Sequence, residues 1–386
     1  MEPRSRSLFL AGCIAFVQHV TAQSFQTDLG VSKYEEGLAV KSNGANIIAV
    51  VRHFREGLGH ALQVVRTNLN GGSSVRLDVV VEGRVFPQDA IPTADGWVVC
   101  GSLIRPGEHE QNAVILRISD LGVVQWSWVA PTDGVEEQLL GITGSGEGYV
   151  ACGMRRASNT TDSDVLFVRV EGDGTPSWMT SHGTALDEKA WDIACDAGDC
   201  VAVGRMSTYT GDADALAMRI QPDGALVWQE TWGGEGDDEA RAAIALPDGT
   251  FAWAGHTGSY PLGDTTVAGQ RLRHTWCMRI DAEADTLWSR TYGDTLMDHT
   301  AYAIDRLANG DLLLGGQRGI PRRTDAIAQR WSDSGDPIWQ RSYDLRRNDL
   351  VRAVSVQPDG SFLATGRCFS TLGGQILLMR KNGNGE

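Results

Sequence analysis

The sequence predicts an all-β protein, a ring of seven four-stranded blades, and three observations carry that expectation. An arginine recurs at Arg66, Arg117, Arg169, Arg219, Arg279, Arg330 and Arg380, at intervals of 50 to 52 residues except for one of 60. Five residues after it stands Gly71, Gly122, Gly174, Gly224, Gly335 or Gly385, with Ala284 the exception, and four further on comes Trp126, Trp178, Trp228, Trp288 or Trp339, with Val75 in the first unit. Helical periodicity is missing throughout, which removes an α-solenoid.

Each unit reads as four short strands, a to d. Asn-Gly or Asp-Gly joins a to b at Asn43-Gly44, Asp95-Gly96, Asp248-Gly249, Asn309-Gly310 and Asp359-Gly360, and c to d at Asn70-Gly71, Asp173-Gly174 and Asp223-Gly224. These dipeptides supply the positive φ that tight hairpins need. A second glycine ends strand b at Gly101, Gly153, Gly204, Gly255, Gly316 and Gly366. Strand c, as in Val165-Leu-Phe-Val168, is apolar on both faces, as a strand between two neighbouring blades should be. Phe25-Gln-Thr-Asp-Leu29-Gly30 matches Trp228 to Gly233, so residues 24–386 open on a lone strand d. They end at Glu386, where the seventh strand d is due. The expectation is therefore closure by strand exchange, which removes the open edges that invite aggregation.

The first 23 residues read as an export signal: Arg4 and Arg6, the apolar run Leu8 to Val17, and the small-residue site Val20-Thr21-Ala22. A rival reading is a lipoprotein box at Leu10-Ala-Gly-Cys13. The apolar run is too short for a membrane-spanning helix and no later one qualifies. The expected location is periplasmic, cell-surface or extracellular, where disulfides persist. Cys195 and Cys200 flank a hairpin turn, and stand either as a cross-strand disulfide or as two free thiols packed as small hydrophobes. The net charge of −15 and the lack of a lysine-rich block argue against nucleic acid and anionic membranes as partners. A monomer is expected.

With its Asp-x-Ala near strand c, its Asp-Gly turns and its Trp-x-x-x-aromatic-Gly strand (Trp228 to Gly233), the chain resembles bacterial extracellular β-propeller repeat proteins of the SBBP and delta-60 type, over residues 24 to 386. The resemblance implies a propeller in an exported protein and carries no common catalytic residues. Many such proteins add a C-terminal sorting domain. The last unit here runs to Glu386, so surface anchoring by that route is not expected.

Residues repeated in every unit are expected to serve the ring: the arginines by pairing with turn carboxylates or carbonyls, the tryptophans by packing blades together. The acidic set before strand a (Glu137, Asp187, Asp238, Asp298, Asp349) suits local backbone acceptors better than a cation ring, and Asp162/Asp164 and Asp212/Asp214 do not continue into a calcium loop. No metal site is expected.

Function on a scaffold resides in what varies between units. Non-repeating bases fall in the b–c loops: Arg52, Arg55, Arg105, Arg155, Arg156, Arg205, Arg318, Arg322, Arg323 and Arg367, which predicts a local positive feature on the face shared by the b–c and d–a loops, the top. Blade 5 carries an insertion of about ten residues between Gly255 and His274. The candidate binding residues are His256, Tyr260, Arg271 and Arg273 from that stretch, with Arg155, Arg205 and Arg318. No Gly-x-Ser-x-Gly or His-Glu-x-x-His occurs, no catalytic residue is assigned and no cofactor is expected. The expected function is a non-enzymatic binding scaffold for a protein or glycan. The alternative is a propeller enzyme, either polysaccharide-active or quinone-dependent. For the latter, the Gly-x-x-x-Trp turn is similar to the docking strand of quinoprotein propellers, which have eight blades and Thr-Gly-Lys there.

Overall fold

A computed structural model describes residues 24–29, 34–55, 59–157, 160, 162–196, 198–260, 266–267, 270–320, 323–345, 347–370 and 373–386. The expected export signal and Arg322 lie outside them. Seven four-stranded antiparallel sheets follow in chain order. Blade 1 holds Glu35–Ser42, Asn46–Arg55, Gly59–Asn68 and Val75–Val79; blade 2 holds Arg84–Pro92, Gly96–Ile104, Asn112–Ser119 and Val124–Val129. Blade 3 comprises Val135–Ser145, Gly148–Ala157, Val165–Val170 and Pro176–His182; blade 4, Glu188–Asp196, Asp199–Ser207, Ala213–Ile220 and Leu226–Trp232. Blade 5 comprises Glu239–Ala245, Phe251–Thr257, His274–Ile280 and Thr286–Tyr292; blade 6, Asp298–Arg306, Leu312–Ile320, Arg323–Trp331 and Pro337–Tyr343. Blade 7 has Arg347–Val356, Phe362–Ser370 and Gly373–Lys381, and its fourth strand is Phe25–Leu29. No helix long and apolar enough to cross a membrane occurs among the described residues.

The first strand takes the register of every other strand d. Phe25 stands opposite Arg380, just as Trp228 stands opposite Arg219 and Trp178 opposite Arg169. Phe25 and Leu29 pack on the buried cluster of Val40, Ile47, Leu363 and Ile376 that joins blade 7 to blade 1. The Ser24 hydroxyl donates to the Glu386 carbonyl at 2.7 Å, so the two ends of the propeller meet. Buried apolar clusters of the same kind fill every other junction between blades, for example Val201, Trp253 and Trp276 between blades 4 and 5. Burying strand c on both sides is what makes it apolar on both faces.

The bottom rim, formed by the a–b and c–d turns, repeats closely. Five of the seven strand-c arginines pair with an aspartate of their own a–b turn: Arg117 with Asp95 (2.6 Å), Arg330 with Asp311 (2.6 Å), Arg380 with Asp359 (2.8 Å), and likewise Arg219 with Asp199 and Arg279 with Asp248. Four of the five strand-d tryptophans donate their indole N–H to a carbonyl in the next blade's c–d turn: Trp126 to Gly172 (3.1 Å), Trp178 to Pro222 (2.9 Å), Trp228 to Ala282 (2.8 Å) and Trp288 to Asp333 (3.2 Å), while the Trp339 indole N–H is buried without a partner.

The same turn explains its glycine. Gly224 has φ +85°, and a Cβ there would fall 3.0 Å from the Trp178 ring; at Gly71, with φ +75°, it would fall 2.5 Å from Phe25. Left-handed backbone and a covering aromatic both select glycine. Blade 5 alone puts a side chain there, Ala284, at φ +71°.

Candidate functional site

Strand a is innermost, and a β-bulge in each blade turns one residue toward the axis. The bulge lies between Ala190 and Asp192, Ala240 and Ala242, Ala301 and Ala303, and Val351 and Ala353, which presents Trp191, Arg241, Tyr302 and Arg352. These four line an axial cavity of about 340 Å³, together with Asp89, Asp192 and Asp305. The three carboxylates join neighbouring blades. Each accepts from its own strand and from the next blade: Asp89 from Ile142 (3.1 Å), Asp192 from Ala243 (2.9 Å) and Asp305 from Val356 (2.7 Å). Burial, reinforced by the nearby charge of Asp89, pushes the Asp192 carboxyl up to about 7.

At the top of the junction between blades 4 and 5, the candidates Arg205, Arg273 and His256 come together. Arg205 ends strand b of blade 4 and donates to Glu239 of blade 5 at 2.9 Å. Arg241, turned inward by its bulge, pairs with the same carboxylate, and its guanidinium lies 4.2 Å from the centre of the Trp191 ring and 5.8 Å from that of Tyr302. Arg273 pairs with Asp237 at 2.5 Å and Arg271 with Glu235 at 2.7 Å. His256 is not in the loop. It occupies strand b, opposite Glu239, and is buried with neither ring nitrogen hydrogen-bonded. Burial first, then the charges of Arg273, Arg241 and Arg205, hold its pKa well below the ordinary histidine value, so the imidazole is neutral.

The blade-5 insertion carries two more of the candidates, Tyr260 and Arg271. A short hairpin, Thr266–Val267 with Gln270–Arg271, lies within it. Tyr260 is half exposed, its hydroxyl tied to the Gly233 carbonyl at 2.7 Å and its ring edge-on to Trp276 at 5.3 Å. Arg155 and Arg318 lie elsewhere. Arg155 pairs with Asp133 (2.7 Å) and Glu137 (3.1 Å) in blade 3, and Arg318 sits opposite His299 in blade 6, its guanidinium 3.4 Å from the Met297 sulfur.

Among the described top-face bases, several are paired with carboxylates rather than left open. Arg52 pairs with Glu36, Arg156 with Glu136 and Arg105 with Glu108 at 3.6 Å, each neutralised by a carboxylate on the same face. The acidic set before strand a also makes local contacts: Asp187 accepts from the Ser163 hydroxyl, Asp238 from Ser259, Asp298 from the Arg273 amide and Asp349 from the Leu345 amide. Among the described residues, Asp237, Glu239 and His256 bring ligand-capable atoms within 4.8 Å of one another. Sequence reading missed Glu239, Arg241, Trp191 and Tyr302. The available signal was a single strand-a column that holds Trp, Arg, Tyr and Arg in four units beside small neighbours.

Cys195 and Cys200 are disulfide-bonded across the a–b hairpin of blade 4, whereas Cys100, Cys152 and Cys277 are buried free thiols.

No protein-family model and no curated protein sequence matches the chain. Among solved structures, it is similar to the Pan2 WD40 domain of Neurospora crassa, with 8% identity and a TM-score of 0.54, covering 93% of this chain and 96% of that one. It is also similar to the polysaccharide lyase Uly1, with 10% identity and a TM-score of 0.51, covering 95% and 94%. At these identities the likeness is one of fold.

Proposed function

We propose that this protein is a binding scaffold whose top face at blades 4 and 5 engages a protein or glycan. One observation carries the reading: exposed Arg271, Arg273 and Tyr260 stand on the one enlarged b–c loop, over a buried charged cluster that leaves His256 without a partner. A WD40 domain shares the fold, as does a polysaccharide lyase, so the fold admits both binding and catalysis. Replacing residues 260–271 by a short Gly-Ser turn should reduce partner capture on glycan arrays and in pull-downs at least tenfold, with the melting temperature held. Unchanged capture would remove the loop from the account.

A second reading is a polysaccharide-active enzyme, since a polysaccharide lyase shares the fold and His256 is buried without a hydrogen-bond partner, although the three guanidiniums beside it weaken it as a base. New chain ends appearing in acidic polysaccharides incubated with the protein, and not with His256→Gln, would decide for it. We also propose that the protein is exported and belongs with extracellular repeat propellers. The Cys195–Cys200 disulfide supports that placement, because such bonds persist in oxidising compartments. Thiol-trapping mass spectrometry on protein from its native source should find this pair oxidised, and a reduced pair would count against export.

A further inference from the structure

We propose that Arg205, Arg241, Arg273 and His256 form a seat for an oxyanion, the carboxylate or sulfate group of an acidic glycan. The inference rests on the binding reading above and names the group that is recognised. The ion pairs of the cluster join three guanidiniums to two carboxylates, Glu239 and Asp237, with His256 neutral and the Asp298 carboxylate held on the Arg273 amide. Donors are left over. The one N–H of the neutral His256 ring and the Nε atoms of Arg205 and Arg241 are buried without hydrogen-bond partners, and the second His256 ring nitrogen is an unpaired acceptor. Buried donors of this kind call for an acceptor, and several convergent N–H groups around one point are how proteins hold carboxylates and sulfates.

A divalent cation is the rival occupant, since Asp237, Glu239 and His256 offer three ligand atoms in one place. Charge decides against it. Glu239 is engaged by both Arg205 and Arg241 and Asp237 by Arg273, so a cation would enter beside three fixed guanidiniums whose counter-charges it would have to take over. An anion instead finds guanidiniums already oriented by Glu239 and Asp237, and by the Trp191 ring beneath Arg241. Two exposed aromatic rings favour a glycan over an acidic peptide. Tyr260 is pinned through its hydroxyl and Tyr209 stands 91% exposed on the neighbouring b–c loop of blade 4. The C–H face of a pyranose packs on such rings, while an aspartate or glutamate side chain has no use for them.

The test is calorimetric titration of the whole protein with sodium glucuronate, sodium sulfate, zinc chloride and an oligoglutamate peptide, each against sodium chloride of matched ionic strength. Saturable binding of glucuronate or sulfate is expected, weakened at least tenfold in Arg273→Gln and in His256→Gln and partly retained in Arg273→Lys, with melting temperatures confirming that each variant folds. The stronger of the two anions identifies the group. No saturation above the chloride control, or saturation indifferent to Arg273→Gln, would overturn the seat. So would zinc binding that depends on His256, or oligoglutamate binding in preference to the sugar acid. If loop replacement abolishes partner capture while the anions fail to bind, the seat falls and the binding reading stands; the converse leaves the seat and removes the loop.

Discussion

The two rims of the ring are built on opposite plans. On the bottom, arginine and tryptophan recur from blade to blade, and most of them find a partner inside the ring: Arg330 meets Asp311 and Trp178 meets Pro222. On the top, the b–c loops of blades 4 and 5 differ in length and sequence, and His256 is buried with no hydrogen-bond partner. The contrast teaches that recurrence marks stability here, and that the unrepeated groups of the top face are the place to look for a partner.

The largest expected effect concerns closure. Removing residues 24–29 strips the partner from Gly373–Lys381 and uncovers the cluster of Val40, Leu363 and Ile376. Differential scanning calorimetry should then show loss of the cooperative transition, and light scattering should show association through the bared edge. Retained cooperativity would mean that the strand is dispensable.

The c–d turn gives a matched pair of smaller tests. Gly224→Ala introduces a left-handed alanine against Trp178 and should cost ~1–3 kcal/mol by denaturant unfolding. Ala284→Gly relieves the same backbone where blade 5 departs from the pattern, and should stabilise by about 0.5–1 kcal/mol. Equal effects of the same sign would refute the role assigned to this turn.

The smallest test is set by the axial cavity. The Asp192 carboxyl lies near 7 in the folded chain and near 3.8 in the unfolded one, so folding favours its protonated form. Its contribution is fully present below about pH 4 and is lost as pH rises through 7. Asp89 and Asp305, raised by burial, act in the same direction. The melting temperature of Asp192→Asn should therefore change less between pH 5.5 and pH 8 than that of the wild type. An unchanged difference would place the pH dependence elsewhere.

What sequence reading could see follows the same division. Blade number, the Phe25 register and the arginine-to-turn pairs were legible because each is repeated, and repetition is visible in one dimension. Arg241 and Trp191 were hidden by the strand-a bulge, since one extra residue shifts the alternation and moves a side chain from one face to another. Glu239 was hidden because its partners come from a different blade and from its own bulge. His256, Tyr260, Arg271, Arg273 and Arg205 were found through the long loop and the irregular bases. Arg155 and Arg318 looked the same in sequence, yet Arg155 pairs inside its own blade and Arg318 lies beside His299 at the next junction.

One paired measurement tests the division most directly. Arg279 on the bottom rim and Arg273 on the top rim belong to the same strand region of blade 5, and each pairs with an aspartate. Glucuronate affinity and melting temperature should be measured side by side for Arg279→Gln and Arg273→Gln. The account predicts a double dissociation, in which Arg279→Gln lowers the melting temperature and leaves affinity unchanged, while Arg273→Gln lowers affinity at least tenfold with little change in melting. Both variants losing stability with affinity untouched would contradict it.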